Sequence, residues 1–123
     1  MILFYLSPHK NIPGHTVGEA RILRTSRWWT CSDASLAEHG DFALAEEAGI
    51  IEGIYEIEGW RRDPNVNNKA VLDLSRLAPG HPMLAWVGRK SPIPRKRGAR
   101  NNFRYMTIKG AAFTPDGLDW TRE

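Results

Sequence analysis

The chain has 123 residues, is 41% hydrophobic and 25% charged, and carries a formal net charge of +3. Those are the proportions of one ordinary soluble domain with room for a single core, large enough to hold together without a metal or a disulfide. The lone Cys31 excludes an internal disulfide, no apolar run approaches the length of a membrane span, and the apolar opening breaks at Ser7 and Pro8 without a secretory core, so a cytoplasmic protein with no membrane partner is expected.

In chain order, "ILFYL" reads as a strand and is stopped by "SPHKNIPG", whose two prolines and glycine form a loop. Thr16 with Glu19 three residues on is a capping-box pattern, and Val17, Ala20 and Leu23 with the stem of Arg24 give an apolar stripe, so a helix is expected to about Ser26. "RWWTC" follows as a strand. Adjacent side chains leave a strand in opposite directions, so one of Trp28 and Trp29 belongs in the core and the other points toward the helix or solvent. "SDASLAEHG" reads as a turn or a single helical turn closed by Gly40.

The clearest hairpin is "DFALAEEAGIIEGIYEIEGW". Phe42 and Leu44 alternate along one strand and Ile51, Gly53, Tyr55 and Ile57 along the next, which sends Glu52, Glu56 and Glu58 to the solvent face of a pair joined near Glu47 to Gly49. "RRDPNVNNKA" is a polar loop, and "VLDLSRLAPG" is too short for its pattern to assign. "PMLAWVG" reads as a strand with either Leu84 and Trp86 or Met83, Ala85 and Val87 inward, and "FRYMTIKG" as the last secure strand. Residues 110–123 form a C-terminal arm or a short hairpin around Pro115 to Gly117. No repeat or linker divides the chain, so residues 1–123 are read as one domain.

Charge is unevenly spread. Asp33 to Glu58 holds eight acids and no Lys or Arg, and Arg89 to Lys109 holds eight Lys or Arg and no acid. Apolar alternation resumes after the basic run at Phe103, Tyr105 and Ile108, so the cations sit between folded elements. Such a split field orients a small protein on a polyanion. His9, His15, His39 and His81 lack zinc-ligand spacing, and there is no nucleophile elbow, phosphate-cradling loop or identifiable carboxylate pair. No catalytic set, metal or cofactor is therefore expected, and Cys31 reads as a small packed side chain.

The order of helix, "RWW", "GDFALAEEAGIIEGIYEIEGW", "WVGR" and "GARNNFRYM" resembles the PUA-like superfamily, the small curved barrels that include ASCH, EVE and SRA-type domains, over most of residues 1–109. The hairpin carries most of the resemblance, through Gly40, Asp41, Gly49, Ile50, Gly53, Tyr55, Glu56, Ile57 and Trp60. "GARNNFRY" is similar to the Gly-x-x-Asn segment that leads into a late strand in related domains, with Asn102 standing where proline is usual. The resemblance implies an α+β fold: a PUA-like curved β-barrel of about five or six mostly antiparallel strands with one principal helix. It also implies a nucleic-acid ligand, in several relatives a modified or flipped base, held in a cleft between barrel and helix.

The residues supply matching chemistry. Arg21, Arg24 and Arg27 with Trp28 and Trp29 put cations and aromatic faces within nine residues, which is what an unpaired base and its phosphates require. Arg89, Lys90, Arg95, Lys96, Arg97, Arg100 and Arg104 are the phosphate-contacting candidates; Pro92 and Pro94 stiffen the approach, and Gly98 admits close backbone contact. The Asn101 and Asn102 amides suit a base edge or a turn. The expected function is thus non-catalytic binding of DNA or RNA. Two alternatives remain: an ASCH-type amidohydrolase acting on modified nucleosides, drawing on Thr25 or Thr30, Lys90 and Glu56, and a protein-interaction or inhibitor module that uses the glutamate stripe.

Neutralising Arg95, Lys96 and Arg97 together is expected to weaken binding to all nucleic-acid sequences alike and to flatten the log-log salt dependence by about two to three, with stability nearly unchanged. Anisotropy titrations across a salt series measure this; an unchanged slope would leave the run as a solubility feature.

Overall fold

The computed structural model describes residues 1–7, 12–91, 93, 102–105, 113–114 and 117–118. Ile2–Leu6 forms β1 with all five residues buried, which is why the opening reads as a continuous apolar run: both faces of this strand are covered. A first helix, α1 (Val17–Ser26), opens on the expected capping box between Thr16 and Glu19. Its apolar stripe differs from expectation. Val17 is 64% exposed, and the buried residues are Ala20, Thr25 and Ser26, whose two hydroxyls are satisfied by donating to the carbonyls of Arg21 and Leu23.

A short strand, β2 (Arg27–Trp29), leads to a second helix, α2 (Asp33–His39). Where one helical turn was expected there are seven helical residues, because the Ser32 side chain caps the Ser35 N–H and Leu36 anchors the helix in the core. Then come β3 (Phe42–Glu47) and β4 (Ile50–Asp63), turning through Ala48 and Gly49 as the hairpin reading placed them. The expected polar loop shrinks to residues 64–68, because β4 runs on to Asp63 and β5 (Lys69–Arg76) starts at once; Asn67 and Asn68 take the left-handed conformation that closes the turn.

"PMLAWVG" is not a strand. Pro82–Trp86 is a 3₁₀ helix capped by the His81 ring, which accepts from the Met83 N–H, and its buried residues, Met83 and Trp86, stand three apart. Either inward set read from alternation would have exposed one of these two. The short β6 (Phe103–Tyr105) follows, and β7 (Phe113–Thr114) pairs with β8 (Gly117–Leu118) as the hairpin alternative for the C-terminal arm.

Six strands form one curved sheet in the order β2-β5-β4-β3-β1-β6, antiparallel throughout except for the parallel β1–β3 pair. With two helices this is a half-barrel of the α+β class. Its curvature has a local cause. Three residues are extra in the registers: Trp28 on β2 against β5, Glu52 on β4 against β3, and Glu58 on β4 against β5. Each bulge bends its strand and raises the local twist.

The bulge at Glu52 also reverses the faces before it. Tyr55 and Ile57 pack with Ile2, Phe4, Trp29 and Leu36 in a core on the helix-bearing side, whereas Ile51 joins Leu3, Leu44, Ile54, Met83 and Trp86 on the other. The glutamates consequently do not form the single stripe that strict alternation implied. Glu56 and Glu58 are exposed, but Glu52 is only half-exposed and out of phase with them.

Gly40 ends α2 with its N–H on the Leu36 carbonyl at 2.7 Å, and a Cβ there would stand 2.2 Å from that oxygen. Gly40→Ala is expected to cost about 1–3 kcal/mol, read as a lower urea midpoint at constant slope. An unchanged midpoint would mean that the α2–β3 corner relaxes freely.

Candidate functional site

Among the described residues no hydrogen-bonded ladder closes the half-barrel. Its edge strands β2 and β6 instead approach through aromatic rings: Trp29 lies 4.4 Å from Phe4 and 6.1 Å from Phe103, centroid to centroid. Beside this seam, between the ends of β1, α1 and β2, opens a cavity of about 480 Å³ lined by Tyr5, Leu6, Ser7, Ile12, Leu23, Arg24, Arg27, Trp28, Trp29 and Asn102. Five sequence candidates, Arg24, Arg27, Trp28, Trp29 and Asn102, therefore meet at one opening.

The two tryptophans divide as their positions require. Trp29 is 9% exposed and donates its indole N–H to the Thr25 carbonyl at 2.8 Å. Trp28 is 44% exposed, on the side opposite its neighbour as strand alternation requires, and is the extra residue of the β2 bulge; the Arg27–Trp28 peptide bond is cis. Its indole N–H donates to Asp63 Oδ2 at 3.0 Å, while the Arg27 guanidinium stands 5.7 Å from the ring centroid. The exposed ring is thus held at its edge and flanked by a cation.

Arg24 reaches across the rim, donating to the Ser7 carbonyl and to Glu47 Oε1, the latter at 3.5 Å. Tyr5 ties the neighbourhood together. Its backbone N–H donates to the Asn102 carbonyl at 2.8 Å and its hydroxyl to the Ile93 carbonyl at 2.7 Å, so the chain from 93 to 102 leaves from and returns to one cavity residue.

Other candidates lie elsewhere. Lys90 bridges Ile50 at the exposed end of the β3–β4 hairpin with Arg89 beside it, and Arg104 is exposed on β6 opposite Leu3, on the strand between Phe103 and Tyr105, which pack toward the helices. Arg95, Lys96, Arg97, Arg100 and Asn101, with His9, lie outside the described residues. The amidohydrolase trio is not assembled: Thr25 is fully buried, Thr30 is exposed beyond β2, and Glu56 stands six residues along β4 from the Ile50 that Lys90 meets, roughly 17–20 Å of strand. Cys31 is buried, which pushes its thiol pKa up and leaves it a packed side chain.

The acidic block is partly spent internally. Asp33 takes the Arg62 guanidinium at 2.6 Å and the Trp60 indole at 3.1 Å, and Glu47 takes Arg21 and Arg24. Sequence reasoning missed Asp63 and Glu47 as site residues, and no local signal marks them, since each meets its partner from more than twenty positions away. Among the described residues no helix is long and apolar enough to cross a membrane, and no group of three or more His, Cys, Asp or Glu is placed to hold a metal. Compared with family models, with curated proteins and with solved structures, the chain matches none. The PUA-like resemblance therefore rests on the sequence motifs alone, chiefly those of the hairpin.

The Trp28 N–H and then the Asn65 backbone N–H hold the Asp63 carboxyl below its usual pKa, and the Arg62 and Trp60 donors do the same for Asp33. A lowered folded-state value means stabilisation present above the unfolded pKa of about 3.9 and lost as pH falls through the folded one. Acid titration followed at the indole N–H resonances is expected to move Trp28 and Trp60 below about pH 3.9, and Asp63→Asn is expected to abolish the Trp28 inflection while leaving that of Trp60. Persistence of the Trp28 inflection in that variant would assign it to another carboxyl.

Proposed function

We propose that this chain binds nucleic acid, DNA or RNA, without catalysis, seating an unpaired or extruded base against Trp28 at the cavity and directing the adjoining phosphates toward Arg24 and Arg27. The observation that carries the reading is the exposed Trp28 ring, fixed at its edge by Asp63 and flanked by Arg27, on the rim of a cavity of about 480 Å³. An exposed tryptophan face at a cavity rim suits base stacking, which is sequence-tolerant and contributes about 1–3 kcal/mol per base. The cations from Arg89 to Lys109 supply the long-range attraction that one stacked base does not.

Membership of the PUA-like superfamily and recognition of a modified base are the finer forms of the same proposal. The interaction-module alternative draws less support, because Glu52 is out of phase with Glu56 and Glu58, and Glu58 accepts from Ser75 at 2.6 Å.

Titration against single-stranded and duplex DNA and RNA, with and without modified bases, tests the reading. Trp28→Ala is expected to weaken binding by about 1–3 kcal/mol while the protein stays folded, and Trp29→Ala to lose about 3–5 kcal/mol of stability. Equal losses of stability in the two variants, with unchanged binding per folded molecule, would make the pair structural and move the weight to the interaction reading.

A further inference from the structure

Arg27 on β2 and Arg61 on β4 are both in register with Val71 on β5, the strand that lies between them. Residues directly opposite one another in a ladder share a face, so the three form one row. That row is on the face away from Trp29, Ala70 and Leu72, which pack in the core on the helix-bearing side. Two strand spacings put the Cα atoms of the two arginines roughly 10 Å apart.

Trp28 lies beside the row. Its indole N–H reaches Asp63 Oδ2 on β4, two residues along from Arg61 and on the same face, so its side chain passes over β5. Val71 belongs to neither core and is nevertheless 4% exposed, as a residue covered by the long side chains beside it would be.

Arg61 differs from the arginines nearer the helices. Arg21 and Arg24 donate to Glu47 and Arg62 donates to Asp33, whereas Arg61 is exposed and, among the described residues, has no hydrogen-bond acceptor and no ion pair. The nearby acid does not claim it. Asp63 takes the Trp28 indole on Oδ2 and the Asn65 backbone N–H on Oδ1 at 2.9 Å, and Lys69 faces it in the register. One row of the sheet therefore sets an acid against a base, and the next carries two cations and no acid, with the exposed ring alongside.

We propose that Arg61 is a phosphate-binding residue, which with Arg27 grips the phosphates on either side of the base stacked on Trp28. This deepens the nucleic-acid reading above and rests on it. The arrangement also sets a path: a single strand leaves the cavity, passes over Trp28 across β2 and β5, and continues onto β4. Two arginine stems have the reach to bring their guanidiniums to neighbouring phosphates of one strand, and each planar fork matches a pair of phosphate oxygens. A closed duplex keeps its bases stacked inside and cannot offer a base to Trp28 and phosphates to this row together.

The test is a salt series with short single-stranded DNA and RNA oligonucleotides and the intact protein. Arg61→Gln is expected to weaken binding severalfold and lower the log-log salt slope by about one, and Arg27→Gln placed on it to lower the slope by about one more. Arg76→Gln is the charge control, because Arg76 is also exposed but stands five residues along β5 from Val71, about 17 Å of strand. It is expected to bind nearly as the wild type does. Unchanged urea midpoints show that the variants stay folded. In a Trp28→Ala background the loss from Arg61→Gln is expected to shrink, since the ring no longer holds the nucleotide between the two cations. No loss in Arg61→Gln, a loss matched by Arg76→Gln, or a loss undiminished in Trp28→Ala overturns the proposal while the nucleic-acid reading stands. Failure of the wild type to bind any of the oligonucleotides overturns both.

Discussion

Phe4, Trp29 and Phe103 bring together two sheet edges that no ladder joins among the described residues. An open sheet of six strands leaves unpaired backbone at both ends, and a fold that curls must either complete its ladder or fill the seam with side chains. Here the filling is aromatic and therefore thick. Rings spaced 4.4 to 6.2 Å apart fill the space between β2 and β6. The cavity is the continuation of that seam past the last ring, where Trp28 replaces Trp29 and the chain turns outward.

Curvature and site share one device. A bulge adds a residue to a strand, bends it and re-aims a side chain, and the three extra residues of this sheet are a tryptophan at the cavity and two glutamates on β4. The two on the 14-residue β4 let one strand serve both β3 and β5 while rolling between them. The one on β2 leaves Trp29 in the core and spends the additional position on an exposed ring. What shapes the scaffold at one place furnishes the candidate site at another.

Much of this was legible in the sequence, and the residues show where legibility stops. The capping box at Thr16, the hairpin turn at Ala48 and Gly49 and the division of labour between Trp28 and Trp29 follow from local chemistry, because each depends on neighbours within a few positions. Bulges are different. Whether Glu52 is an extra residue is decided by the register of β3 opposite, so the phase of Ile51 relative to Tyr55 cannot be read from β4 alone. The 3₁₀ helix at Pro82–Trp86 was misread because five apolar-rich residues satisfy period two and period three equally; only the pairing of Met83 with Trp86 under the sheet separates them. Among the candidate site residues, those clustered in "RILRTSRWW" were visible, whereas Asp63 and Glu47 are brought in by the fold.

The double anchoring on Tyr5 bears on how such a protein can change over evolutionary time. A segment that departs from Ile93 and returns at Asn102 over a single tyrosine has its ends fixed by two hydrogen bonds, independently of what lies between them. Doubling the length of a connection of this kind costs only about 0.6 kcal/mol in closure entropy. Both anchors use backbone carbonyls, so substitution of the cations carried between them leaves the anchoring groups on Ile93, Asn102 and Tyr5 themselves unchanged. On the function proposed above, affinity for a polyanion and the shape of the pocket are separately heritable traits, and a lineage can retune one while the other stays under its own selection.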